Sequence, residues 1–280
     1  LAHINAPLRI HQQSVIPGFG LTLGLTLAWI AVIVLIPIAA LVLKASSLSA
    51  DQFLKILFAA RTLNALRLSF GLAFAAAAIN VVFGLTVAWA LTRYEFPGRR
   101  FADALIDIPF ALPTAVAGIA LASLYAPQGW LGSLLIPLGV KVAFTPLGIL
   151  IALIFVGLPF VVRTVQPVLA DLDPELEQAA ASLGASRWQS VTRVVLPSIL
   201  PAILTGFALA FARAIGEYGS VIFIAGNLPN LSEIAPVLII IRLEEFRYAD
   251  ATAIAAIMLV ASFVMLLIIN RLQRWTETRG

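Results

Sequence analysis

One recurrence constrains this chain more than any other feature: six mostly apolar stretches, at 20–43, 63–91, 101–124, 146–165, 197–224 and 251–269, parted by short polar segments. A bilayer's hydrocarbon core is about 30 Å thick, the reach of about 20 helical residues. Lipid offers no partner for backbone N–H and C=O groups, so each stretch has to satisfy its own as a helix. The expected fold class is all-α: a polytopic membrane bundle of six transmembrane helices. Composition agrees, because only 11% of residues are charged, against about 25% in ordinary soluble domains. The first run is too long for a signal peptide and no small-residue cleavage site follows it, so it reads as a retained span.

Arginines orient the bundle. The short loop TRYEFPGRR carries Arg93, Arg99 and Arg100, and with Arg9, Arg187, Arg193, Arg271, Arg274 and Arg279 it falls on one side. Lys44, Lys55, Arg61, Lys141, Arg242 and Arg247 fall on the other. Basic residues concentrate in short cytoplasmic loops. The expectation is a cytoplasmic tail at 1–19, a permease domain at 20–270, a cytoplasmic tail at 271–280, and both termini inside. The net charge of +4 is thereby explained without nucleic acid. The absence of cysteine excludes disulfides and thiolate chemistry, and the two histidines, His3 and His11, have no partner motif. No metal or cofactor site is expected, and no GxxxxGK[ST] phosphate loop supplies energy.

Several residues inside or beside the spans invite two readings. Pro109 and Pro113 break the third run, which suits a helix facing the protein interior or a water-filled path. Asp103 and Asp107 cost little if they lie at the cytoplasmic surface, towards which Arg163 can snorkel. Asn80 suits a packing hydrogen bond in an Ala- and Gly-rich span. Arg213 and Glu217 stand four apart on one helix face. Either they lock the fifth helix in place, or Arg213 lines a path for an anion while Gly216 and Gly219 let an outer gate bend. The mixed charges of 225–249 suit an external docking surface or an ordinary solvated loop.

The polar interruption at 171–201 is longer than a simple connection needs. Asp173 can cap a helix with Pro174 at its first position, and Leu176, Ala180 and Leu183 recur at helical spacing up to Gly184. A second helical stretch carries Trp188, Val191, Val194 and Val195 before Pro197 opens the next apolar run. So much structure in a loop implies a docking surface. The chain is then either a secondary transporter, the membrane part of a pump whose ATPase is a separate polypeptide, or a non-transporting scaffold.

Within that loop, QAAASLGASRWQSVTRVVLP resembles the EAA-type signature of binding-protein-dependent ABC importer permeases. Gln178, Ala179, Ala180 and Gly184 stand at its leading positions, and Val194, Leu196 and Pro197 at its closing ones. The resemblance implies a type I (MetI-like) permease fold in which 171–197 is the coupling loop. Gly184, Ala185, Ser186 and Arg187 then meet a groove on the ATPase, with Glu177, Ala180 and Leu183 on the supporting helix. Gln178 departs from the pattern's glutamate, and Glu177 faces about 100° away on a helix. The runs VIPGFGLTLGLTLAW, RYEFPGRRFADALIDIPFALPTAVAG, ARAIGEYGSVIFIAGNLP and SEIAPVLIIIRLEEFRYADATAIA are similar to the T-type subunit of sulfate/thiosulfate permeases. That likeness implies a bacterial inner-membrane location. It also implies a W-type permease partner, two ATPase subunits carrying ATP and Mg, and a periplasmic binding protein delivering the anion. A molybdate or tungstate permease of the same family remains the alternative.

Overall fold

The computed structural model describes residues 19–277, with side chains as far as Arg271. The expectations for the N-terminal tail and for Arg274 and Arg279 lie outside what is described. All regular structure among the described residues is helical, and the chain divides into two compact units, 1–48 and 49–280. In the first, α1 (Phe19–Ser46) is apolar all round and has no buried residue in its most apolar window, the pattern of a helix meant for lipid. Its one irregularity is a wide turn at Ala31–Leu35 just before Pro37. A proline ring clashes with the carbonyl one turn back, and widening the turn relieves that clash.

The second unit begins with α2 (Ala50–Leu57), closed by a reciprocal Ser49–Gln52 cap. It continues through α3 (Ala60–Arg93), α4 (Arg99–Ile106), α5 (Thr114–Tyr125) and α6 (Pro146–Ala170). After the short α7 (Pro174–Ser182) comes α8 (Arg187–Ile215). The unit ends with α9 (Ala235–Glu244) and α10 (Tyr248–Glu277). Its heart is the mutual packing of α3, α6 and α8, around the fully buried Ile149, Val161, Val162, Val165, Ile199 and Phe211. Small residues set the spacing. A methyl on Gly84 would lie 2.8 Å from Val161 Cγ1, and one on Gly206 would lie 3.0 Å from Val161 Cα. Only hydrogen at those positions lets the three axes approach this closely. Phe74 packs edge-on against Phe207, with centroids 5.4 Å apart, and joins α3 to α8 further along.

Three expectations need correction. Among the described residues, five helices, not six, are long and apolar enough to cross a membrane. The expected third span at 101–124 is broken into α4, a single turn at Ile108–Ala111, and the 12-residue α5. The cause is local. Pro113 pushes Leu112 out of the helical region, to ψ 134°, because the proline ring crowds the preceding residue. Pro109 sits in the first turn of its own segment, where a missing N–H is harmless.

The fifth expected span, 197–224, is also displaced. The helical stretch with Trp188 and the apolar run after Pro197 form one helix, Arg187–Ile215. Its wide turn at Val191–Val195, just ahead of Pro197, passes the proline without a stop. Lastly, Asn80 is fully buried beside Gly157, yet neither its Oδ1 nor its Nδ2 has a hydrogen-bond partner. The packing hydrogen bond expected of it is not made.

Candidate functional site

The segment 171–197 is assembled by local rules. The Asp173 carboxylate accepts from the Glu175 N–H at 2.9 Å and starts α7 with Pro174 in its first turn. Gly184 ends it in the left-handed region, φ +83°, a conformation that costs any residue with a Cβ about 1–2 kcal/mol. Ser186 then caps α8 reciprocally with Gln189: the Ser186 N–H donates to Gln189 at 2.8 Å, and Ser186 Oγ accepts from the Gln189 N–H at 3.3 Å. Two caps and one left-handed glycine thus make a sharp helical corner from a short piece of chain.

What the corner exposes is unusual. Leu183 is 89% exposed and Trp188 75%, and Gln178, Ala179, Gly184, Ser186, Arg187 and Pro197 are exposed as well, while Ala180 and Ala185 are half-buried. A cleft of about 360 Å³ runs along this surface between Ala180, Leu183, Gly184 and Arg193. Glu177 turns the other way. Its carboxylate accepts from Arg93 Nη2 at 2.5 Å, and that guanidinium lies 5.7 Å over the Trp89 ring. The neighbouring Gln178 stays on the open side. Beside this ion pair a second cavity, of about 630 Å³, opens between Trp89, Arg93, Arg187 and Trp188.

At the opposite end of the long helices the charges are paired. Arg213 bridges to Glu217, whose side chain is 1% exposed, and the other oxygen of Glu217 accepts from the Ser220 N–H at 2.9 Å and Ser220 Oγ at 2.8 Å. Arg213 itself keeps about a third of its side chain exposed. Gly216 faces open space, whereas Gly219 lies against Thr114 so closely that a Cβ there would collide. Pro113 caps the helix that carries Thr114, so this contact joins the break in the third run to the chain beyond α8.

Two clusters were not legible beforehand. Arg163 gathers both acids of α4 and its end: Nε and Nη2 donate to Asp107 at 2.9 and 2.7 Å, and Nη1 donates to Asp103 at 2.7 Å. The spacing of two acids along one run gave no sign of a shared arginine sixty residues away. The segment 225–249 is likewise anchored. Arg61 donates to both oxygens of Glu233 at 2.7 Å, and Ser232 and Glu233 are buried. At its surface, the hydrogen bond from Arg242 holds the Glu245 carboxyl below its ordinary range. Among the described residues, no group of three or more His, Asp or Glu gathers to hold a metal.

The fold is one seen in membrane chains of ABC transporters. A bacterial ABC transporter involved in importing the polysaccharide alginate matches 92% of this chain and 96% of its own, with TM-score 0.74 and 18% identity. An inward-facing methionine ABC transporter matches 76% of this chain and 95% of its own, with TM-score 0.58 and 16% identity.

The chain belongs to the family of binding-protein-dependent transport system inner membrane components, whose model matches residues 80–279. It is a membrane component of a multi-subunit transport system. The sulfate transport system permease protein CysT of Synechococcus elongatus is 52% identical over 252 residues, 90% of this chain and 91% of its own. Its counterpart in Escherichia coli is 48% identical over 264 residues, 94% of this chain and 95% of its own.

Proposed function

We propose that the chain is the membrane-spanning permease subunit of an ATP-driven importer of sulfate or thiosulfate. The observation that carries this reading is identity of about half of all residues, over nine-tenths of both lengths, with sulfate permeases of two bacteria. The permease domain, 20–270, lies in the inner membrane with both tails cytoplasmic. The broken α4–α5 segment completes a sixth crossing. A second, W-type permease faces this chain, two cytoplasmic ATPase subunits carry ATP and Mg, and a periplasmic protein delivers the anion.

Energy enters through the loop 171–197. Glu177 ties the loop to α3 through Arg93, so a push on α7 is passed to the long helix. Gln178, Ala179, Ala180, Leu183, Gly184, Ala185, Ser186 and Arg187 form the surface that sits in the ATPase groove, and Pro197 marks where α8 enters the bilayer. Exposure of Leu183 and Trp188 supports this, since apolar side chains held open to water gain free energy when a partner covers them. Closure of the ATPases moves the loop, and the path opens towards the docked binding protein. Pro109 and Pro113 supply the irregular backbone beside that path, and Gly216 and Gly219 the bending point near its outer end. Arg213 offers its free N–H groups to the passing dianion while buried Glu217 holds the guanidinium in place. The near-neutral pair binds weakly enough to let the anion leave.

The test is reconstitution of this chain with its ATPase, second permease and binding protein in liposomes. Sulfate-loaded binding protein is expected to stimulate ATP hydrolysis and labelled sulfate uptake together, with molybdate failing to compete. Stimulation by molybdate alone, or gradient-driven uptake by this chain without the ATPase, overturns the reading.

A further inference from the structure

Asn80 is a polar side chain that neither the packing nor the coupling route uses. It is fully buried within α3, and neither its Oδ1 nor its Nδ2 has a hydrogen-bond partner. A methyl on Gly157, near the middle of α6, would lie 2.5 Å from that Nδ2 and 3.6 Å from Ala210 Cβ of α8. The amide is therefore pressed onto bare α6 backbone at the point where the three core helices meet. A buried amide without partners raises the free energy of the conformation that strands it, whereas an apolar side chain of the same shape does not.

A partner lies close by. Within α6 the Gly157 N–H takes one lone pair of the Leu153 carbonyl, and a carbonyl oxygen has two. With no side chain at 157, the second lone pair is uncovered towards α3. Reaching it takes a slide of α3 along α6, towards the external side, by less than one helical turn, about 5 Å. The packing permits that slide. Between Ser69 and Ala88 every buried residue of α3 is Ala, Ser, Gly or Asn80 itself, so no large side chain keys its register, and shear of packed helices is an ordinary mode of conformational change.

From this arrangement we propose that Asn80 positions α3 against α6 during the transport cycle: its amide is unpaired in the present conformation and donates to the Leu153 carbonyl in a second one. The amide thereby favours departure from the present conformation. The drive comes from the loop. The chain leaves α6 at Ala170, whereas α3 is tied to the loop further on, through Arg93 and Glu177. Tilting α7 moves Glu177 relative to the end of α6 and draws α3 along it. The inference deepens the proposed function and rests on it, because an importer alternates between two conformations.

The chain has no cysteine, so spin labels can be placed by Glu95→Cys, just past α3, and Lys141→Cys, just ahead of α6, both exposed and at opposite ends of the helix pair. In the assembled transporter in nanodiscs, pulsed dipolar spectroscopy is expected to show two spacings, the present one and one shorter by less than about 5 Å, the shorter gaining when the complex is trapped with ATP and vanadate. Asn80→Leu is expected to raise the ratio of the present spacing to the shorter one at least about fivefold, and stimulated ATP hydrolysis to fall with it. Asn80→Ala leaves a void in both conformations and is expected to shift the ratio the same way. A side chain that merely packed here would shift it the opposite way or not at all, and either result in both variants overturns the proposal. So does a wild-type complex with one spacing in every nucleotide state, or with a second spacing longer than the first. Labelled sulfate uptake is followed in the same preparations: uptake with an unmoved ratio removes this inference and leaves the proposed function, whereas a moved ratio without ATP-driven uptake does the reverse.

Discussion

Two polar interruptions, 171–201 and 225–249, look alike in sequence and are opposites in the folded molecule. The first turns its apolar side chains outward: Leu183 and Trp188 stand open while caps and a left-handed glycine hold the backbone. The second turns charge inward, burying Glu233 against Arg61 and folding the apolar start of α9, Ala235, Val237 and Leu238, into the core. The first leaves its apolar side chains uncovered, and the second has its partner in the same chain. Polarity along a sequence therefore marks where the chain leaves the apolar run and says nothing about what covers it afterwards.

The sharpest way to break this contrast is Arg61→Ala. It strands a carboxylate whose side chain is only 1% exposed, and loss of one partner of a buried pair costs about 3–5 kcal/mol. Thermal unfolding of the purified subunit in detergent should show a large drop; an unchanged melting temperature would mean that 225–249 is no more anchored than the loop. Gly184→Val ranks next. Nothing lies within 4 Å of a Cβ there, so the cost of about 1–2 kcal/mol comes from the positive φ alone. Coupled ATP hydrolysis should fall roughly tenfold while membrane insertion, followed by protease protection, stays normal.

Glu177→Gln should cost less than about 1 kcal/mol, because the pair with Arg93 is partly solvated and such pairs contribute little. Its melting curve should nearly overlay the wild type, in contrast to that of Arg61→Ala. Leu183→Asp has the smallest expected effect on stability, within about 0.5 kcal/mol for so exposed a position. Its signature is elsewhere: co-purification of the ATPase with the permease should drop. If the ATPase stays bound and stimulated, the open face of the first segment is not the docking surface.

Much of the site could be read early because it is built locally. Asp173, Pro174 and Gly184 act through neighbours one to three residues away, so their spacing carried the information, whereas the equally local cap of Ser186 with Gln189 was seen only in the structure. The clusters made by Arg163 with Asp103 and Asp107, and by Arg61 with Glu233, join positions about sixty and more than a hundred and seventy residues apart. No local pattern encodes that. The broken third run lies between these cases. Pro113 was visible and breaks the run locally, but the contact that α5 then makes with the 216–220 segment through Gly118 and Gly219 joins remote positions.

By itself the amino-acid order determined that this is a membrane-embedded helical protein with a structured corner between two long helices. Run length, proline, glycine and capping side chains act over a few residues and follow from elementary geometry. Only the tertiary structure decided which charges meet, where Glu177 and Gln178 point, that five helices rather than six run long among the described residues, and that Asn80 goes without a partner. Those outcomes depend on distances between remote segments, set when α3, α6 and α8 close on their glycines.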